Sequence, residues 1–218
     1  MCIVTSMATQ PKSRARARAR GGARQRGPEG LFLVEEIERL RAWALAACAQ
    51  GVRNGALLVT FLGTAGRRFE VGALRTGDVR EGPGGFEVYF PETKGGDSAT
   101  VPVTPETWTA LRAWIAGKPA RGESAGPLTP LFVSERGGFM HTTTIWRAFK
   151  DAVQEAGIKR TVGVHASRHA AGFLLLRATN DLVKVQRFLR HKNLTTTSAW
   201  YAHIHMPDLR AGLAKAGL

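Results

Sequence analysis

Apolar residues recur at helical spacing through most of the chain from residue 31 onward, and one stretch breaks that rhythm by alternating like a strand. Val34, Ile37, Leu40, Ala44 and Ala47 mark a first helix, with Glu35, Glu36 and Glu38 in its opening turns and Gly51 as its stop. Further helical patterns cover residues 54–62 and 69–74, the latter reached through Thr64-Ala65-Gly66-Arg67. The period then changes. Phe86-Glu87-Val88-Tyr89-Phe90 and Ala99-Thr100-Val101-Pro102-Val103 read as two strands, with Lys94-Gly95-Gly96-Asp97 at the turn between them. Pro102 has no N–H to give to a ladder, so its strand belongs at an edge. Thr104 caps and Pro105 opens a helix over residues 106–116. A Gly/Pro/Ser-rich loop over 118–130 leads to Leu131-Phe132-Val133, a short strand at most. A helix over 142–156 gathers Ile145, Phe149, Ala152, Val153 and Ala156 on one face, and others are predicted near 166–178, 181–189, 194–203 and 207–216. One strand-period island among helices predicts an α+β fold, mainly α-helical, with a small antiparallel β-hairpin or sheet on one side.

Charge narrows the function. Thirty-one Lys+Arg against 17 Asp+Glu give a net charge of +14, and the isoelectric point is near 11. Residues 1–30 hold seven of the basic residues and one acid, so +6 lies in that segment and +8 remains in the body. Residues 1–29 run Arg14-Ala15-Arg16-Ala17-Arg18-Ala19-Arg20 and then into glycine, glutamine and proline, with no apolar face to offset the entropy of ordering. They read as a disordered basic arm in which Arg14, Arg16, Arg18 and Arg20 contact DNA phosphates without regard to sequence. A solvated tail, or a true start at Met7, fits the same composition. Lys159 and Arg160 add a second basic pair ahead of the last third, also expected to contact DNA. A polyanion is the expected partner, nucleic acid foremost. No apolar run reaches the roughly 18 residues of a membrane span, and the first residues make no secretory signal. Cys2 and Cys48 are isolated, which argues against a disulfide framework and for a reducing, cytoplasmic setting.

The chemistry-bearing residues crowd into the last third. His165, Arg168 and His169 fall on one helical face. A guanidinium fork with an imidazole beside it suits a phosphate, the fork taking two oxygens and the ring donating a further bond. His165 and His169 also have the spacing of a zinc-binding helix, but Ala166 stands where the hydrolytic glutamate would be, and no metal is expected. Farther on come Arg190-His191 and Thr195-Thr196-Thr197, then Tyr201-Ala202-His203.

Taken together these motifs resemble the catalytic domain of the tyrosine recombinase (phage integrase) family. That family carries H-x-x-R-H, here His165/Arg168/His169. It then has a leucine-rich helix ending in L-G-H, here Leu189-Arg190-His191, followed by a threonine pair and a nucleophilic tyrosine, here Tyr201. The resemblance reaches upstream. Thr64-Ala65-Gly66-Arg67, with Glu70, Leu74 and Asp78, matches the spacing of the family's first arginine motif, and Lys94 before Val101-Pro102 matches its hairpin lysine. The match covers roughly residues 31–203. Three positions depart from the pattern. Ala65-Gly66 stands where Gly-Leu is usual, Ser167 replaces a leucine, and Arg190 replaces the glycine of L-G-H, a change expected to strain the turn that aims His191. Tyr201 lies ten residues after His191, where many members use nine.

The resemblance implies a site-specific recombinase that cuts and rejoins double-stranded DNA through a 3′-phosphotyrosyl intermediate, with no cofactor. Arg67 and Arg168 are expected to hold the non-bridging oxygens, Lys94 to act as general acid, and His165 to assist proton transfer from Tyr201. His191 is expected to bond the phosphoryl group. Glu70, Asp78 and His169 are expected in support. The implied partners are DNA, further copies of the chain as a dimer or tetramer, and possible accessory DNA-binding proteins. The organisation expected is an arm (1–29), a catalytic domain (30–205) and a C-terminal helix or tail (206–218), without the N-terminal clamp usual in the family. A catalytically silent DNA-binding protein of the same fold, and an enzyme that relaxes supercoils without exchanging partners, are the other readings.

Overall fold

The computed structural model describes residues 30–93 and 96–191. Helix α1 (Val34–Ala49) lies along α2 (Arg53–Thr64). The approach is close because Gly55 carries no side chain: a Cβ there would sit 2.5 Å from the backbone nitrogen of Cys48. α2 is apolar on nearly every face, the pattern of a helix buried on all sides, and Gly55 through Phe61 are all buried. It packs on α1, α4, α5 and α6 and so forms the axis of the domain. Its two threonines satisfy themselves, Thr60 Oγ1 donating to the Ala56 carbonyl (2.8 Å) and Thr64 Oγ1 to the Thr60 carbonyl (2.6 Å). α1 has no capping hydroxyl. Instead the Glu36 carboxylate accepts from the Leu33 N–H at 2.7 Å.

After α3 (Arg68–Gly72) the chain forms three strands, β1 (Val79–Gly82), β2 (Gly85–Phe90) and β3 (Ala99–Pro102), in an antiparallel sheet of order β1-β2-β3. The hairpin predicted over residues 86–103 is β2–β3, paired Val88 with Val101, and Pro102 is on an edge strand. β1 escapes sequence reading because Val79-Arg80-Glu81-Gly82 has a single apolar residue. What makes it a strand is its partner, through the pairing Val79 with Val88. Val79, Val88, Phe90 and Val101 are buried in the core, and α4 (Pro105–Ala116) packs against β1 and β2. Thr104 caps α4 as expected, its Oγ1 accepting from the Thr107 N–H at 3.2 Å.

The Gly/Pro/Ser-rich segment after α4 is tied down rather than loose. Lys118 is fully buried, with its ammonium 2.8 Å from Glu123 and 3.0 Å from the Pro130 carbonyl. Arg121 stacks 3.7 Å over the Trp114 ring, and Trp114 Nε1 donates to the Leu131 carbonyl at 3.0 Å. Leu131-Phe132-Val133 forms no strand. Isolated bridges pair Arg75 with Pro130 and Val133 with Phe139, and both Leu131 and Phe132 are buried. α5 (Thr142–Glu155) buries Ile145, Phe149, Ala152 and Val153, and the Phe149 ring meets Phe61 edge-on at 5.9 Å. α6 (His165–Thr179) and α7 (Leu182–Leu189) pack on each other and close the domain over α2. The helices expected near 194–203 and 207–216, and the arm, lie outside the described residues.

Removing one member of a buried ion pair leaves the other uncompensated, at a cost of about 3–5 kcal/mol. Lys118→Ala is therefore expected to lower the unfolding free energy by about 3 kcal/mol, toward the small end because Glu123 is 20 % exposed. Urea denaturation followed by circular dichroism checks this, and an unchanged midpoint would refute it.

Candidate active site

The site begins where α2 ends. Ala65 takes a left-handed conformation (φ 49°, ψ 32°) that turns the chain out of the helix. Gly66 follows, and its bare Cα is required, since a Cβ would come within 2.5 Å of Val71 Cγ2. Arg67 then stands in extended conformation at the start of α3. Glu70, three residues on, reaches back to it twice: one carboxylate oxygen accepts from the Arg67 N–H and the other from the Arg67 guanidinium, both at 2.7 Å. The glutamate thus caps α3 and aims the arginine in one act.

α6 brings in the second arginine from the far end of the sequence. Arg168 is 5 % exposed, and its Nη1 donates to the Ala65 carbonyl at 2.6 Å across 103 residues of chain. The same turn of helix carries His165, exposed, and His169, half-buried. Ser167, where a leucine was the family habit, is buried and satisfied by donating to the Val164 carbonyl at 2.6 Å.

α7 delivers the third part. Arg190 ends that helix in a left-handed turn (φ 53°, ψ 45°), and His191 follows. The strain expected at Arg190 is visible in that positive φ, which costs a non-glycine residue about 1–2 kcal/mol. Its side chain supplies compensation that the sequence did not reveal. The guanidinium folds inward, donating to Glu70 at 2.7 Å, to the Thr64 carbonyl at 3.2 Å and to the Ala65 carbonyl at 3.5 Å. It also lies 4.8 Å from the centre of the Phe90 ring. Glu70 is therefore held between two guanidiniums, Arg67 and Arg190, with its carboxylate wholly out of solvent. The clue available in the sequence was a charged residue in a glycine's place beside His191. Nothing in the sequence said where its side chain would go.

Electrostatics follow from this packing. Burial pushes the Glu70 carboxyl up, but the bond from the Arg67 N–H and the charges of Arg190 and Arg67 outweigh it and hold the group below the ordinary carboxylate range. His191 is pushed down to about 4, first by burial and then by Arg168, Arg67 and Arg190 around it. His169 falls to about 4 as well, by burial and then by His165, Arg168 and His191. Both rings are neutral near pH 7. Arg67, Glu70, His165, Arg168, His169, Arg190 and His191 thus form one cluster. The three guanidiniums and one carboxylate among these residues leave it cationic, as an anionic ligand such as a phosphodiester requires.

Other expected residues stand elsewhere. Asp78 keeps to a turn of its own, accepting from the Arg75 N–H at 2.8 Å, with Arg75 and Arg80 as its charged neighbours. It supports the fold ahead of β1 and not the arginine cluster. Lys159 is exposed. The Arg160 guanidinium bonds Glu36, at 2.9 Å through Nε, and the Leu31 carbonyl, fastening the segment before α6 to the start of α1. Lys94, Tyr201, and Arg14, Arg16, Arg18 and Arg20 lie outside the described residues.

Comparison with known proteins fits this arrangement. The sequence model of the phage integrase family matches residues 32–207, and the chain belongs to that family. Tyrosine recombinase XerD of Corynebacterium glutamicum is 32% identical over 160 residues, covering 73% of this chain and 51% of the relative. Tyrosine recombinase XerC of Xylella fastidiosa is 32% identical over 154 residues, covering 71% of this chain and 49% of the relative. The chain thus spans about half the length of these curated relatives. Among solved structures, XerA recombinase superposes with a TM-score of 0.67 at 25% identity, over 85% of this chain and 63% of that one. XerH bound to a palindromic difH substrate, in a post-cleavage complex, gives a TM-score of 0.67 at 21% identity, over 84% and 52%, a likeness of fold.

A histidine whose folded pKa of about 4 lies below its unfolded value of 6.5 stabilises the fold above pH 6.5, and that contribution drains away as the pH falls from 6.5 toward 4. Glu70, also depressed, adds its loss below the usual carboxylate range. The urea midpoint is expected to drop between about pH 7 and about pH 5, and to drop less in the His169→Asn/His191→Asn double variant. Equal slopes in the two proteins would contradict this assignment.

Proposed function

We propose that the chain is the strand-transferring part of a site-specific DNA recombinase or integrase. The observation that carries this reading is the convergence of Arg67, Arg168 and His191, from the ends of α2, α6 and α7, on the single turn at Ala65. Two fixed guanidiniums and a neutral imidazole suit the five-coordinate phosphorus of an in-line displacement, in which negative charge grows on the non-bridging oxygens. Membership of the phage integrase family and the XerH neighbour's complex with its palindromic difH substrate support the same reading.

The nucleophile in this reading is Tyr201. A phenol with an ordinary pKa of about 10 needs its proton drawn off as it attacks, and His165 is the group we assign to that step. The tyrosyl oxygen bonds to phosphorus and the bond from phosphorus to the 5′ oxygen breaks. Lys94 gives its proton to that departing oxygen. The products are a 3′-phosphotyrosyl link and a free 5′-hydroxyl. Attack by another strand's 5′-hydroxyl reverses the step and frees the tyrosine, so the phosphodiester energy is conserved and no nucleotide cofactor enters the balance. Arg67 and Arg168 hold the non-bridging oxygens, His191 donates a hydrogen bond to one of them, and Glu70 keeps Arg67 in place. We place the protein in the cytoplasm with access to DNA, acting as a dimer or tetramer on its target, with accessory DNA-binding proteins as further partners. Among the described residues, no helix is long and apolar enough to cross a membrane.

The test is a pool of nicked duplexes with randomised centres, from which covalent protein–DNA adducts are captured on denaturing gels and sequenced. Wild-type protein is expected to give an adduct, Tyr201→Phe none, and Arg168→Ala an adduct formed about 10²–10³-fold more slowly. An adduct that survives Tyr201→Phe would remove the nucleophile assignment, and no adduct from any duplex would remove the enzyme reading.

DNA affinity is expected to fall with salt, at a slope of about −0.9 in log–log terms for each phosphate neutralised. Deleting residues 1–29 should make that slope shallower, by about 0.9 for every contact the arm supplies. Fluorescence anisotropy over a salt series measures it, and identical slopes would deny the arm a phosphate-binding role.

A further inference from the structure

We infer that Arg190 is a positioning residue for strand cleavage: it straps the turn that presents His191 to the turn that presents Arg67, with Glu70 as the shared anchor. The inference rests on the strand-transfer reading above, but its geometry stands on the described residues alone.

Three observations point to it. First, Ala65 (φ 49°) and Arg190 (φ 53°) both adopt the left-handed backbone region without being glycine, and each lies next to a stretch that carries a site residue. Two such turns persist only where surrounding contacts hold them. Second, one side chain connects the two. Arg190 donates to the Thr64 and Ala65 carbonyls and to Glu70, and Glu70 bonds Arg67 at both its backbone and its guanidinium. The ends of α2 and α7 and the start of α3 are thereby tied at one carboxylate. Third, the Arg190 guanidinium is turned inward, away from any DNA phosphate at the surface. Both Nη atoms are engaged, its Nε is buried beneath the surface, and the guanidinium rests on Phe90. It acts on the reaction through Arg67 and His191 and does not touch the reacting atoms.

Lysine does not reproduce this function, because its three donors radiate from one nitrogen and cannot span the acceptors that the planar fork reaches from two. Glycine relieves the backbone but removes the strap. The two substitutions therefore separate charge, backbone strain and bridging geometry.

The experiment uses the full chain, the nicked-duplex pool and saturating DNA. Arg190→Gly is expected to slow adduct formation by about 100-fold, the scale of a small misplacement of catalytic groups, while the dissociation constant for DNA stays close to that of wild type. Arg190→Lys should recover only part of the rate. Adding Glu70→Gln to Arg190→Gly should cost much less than Glu70→Gln costs alone, since the strap is already cut. A wild-type rate in Arg190→Gly, or full recovery in Arg190→Lys, overturns the proposal. So does strict additivity of the double variant.

A second readout needs no DNA and keeps failure of the enzyme reading distinguishable. His191 faces Arg168, Arg67 and Arg190, with His169 nearby, and is held down at about 4. Its ring titration by NMR should move upward in both Arg190→Gly and Arg190→Lys, because loss of the strap opens the turn to water whichever charge remains. If wild type forms no adduct, the enzyme reading fails and this titration judges the strap. A midpoint that stays near the wild-type value in Arg190→Lys overturns it. If Arg190→Gly does not fold, Arg190→Lys carries both measurements.

Discussion

A carboxylate removed from water stays ionised only if cations replace the lost solvation. Glu70 is 1 % exposed and meets that condition with Arg67 on one side and Arg190 on the other. Each arginine is itself mostly buried and needs the glutamate in return. The site is therefore stabilised as a unit whose parts are costly to remove singly. Arg168 joins by donating to the carbonyl of the same turn. The resulting surplus of positive charge is what a phosphodiester would neutralise on binding.

This unit depends on the axis formed by α2. The Ala65 turn can receive groups from α6 and α7 only because α2 is buried along its length and ends at a fixed point. That point is set by the close approach of α1 at Gly55 and by the packing of α5 through Phe61 and Phe149. The sheet contributes from the side, placing Phe90 at the end of β2 beneath the Arg190 guanidinium. Fold energetics and site geometry thus share residues, and the acid sensitivity of the buried histidines and of Glu70 belongs to both.

Much of this was legible in sequence. Helix periodicity located α1, α2, α4, α5, α6 and α7 because their apolar stripes are regular, and Thr104-Pro105 announced α4 because capping is local chemistry. Arg67, Glu70, His165, Arg168 and His191 were singled out by the resemblance of their motifs to those of the tyrosine recombinase family. β1 was not legible, since a strand with one apolar residue exists only through its ladder with β2. The Arg160–Glu36 pair was not legible either, because its members lie 124 positions apart. Asp78 had the right spacing to support the arginine motif, yet its carboxylate is used within its own turn.

By itself, the sequence determined the order of helices, the edge position of Pro102, the cationic character of the chain and the residue types available for phosphate chemistry. These follow from local periodicity, capping and composition. Only the tertiary structure decided which of those residues meet. It turned Arg190 from an apparent defect in a glycine position into the strap between two turns, and it lowered His169 and His191 to about 4. The physical reason is that burial and ion pairing belong to neighbours in space, and here the decisive neighbours are separated by more than a hundred residues of chain.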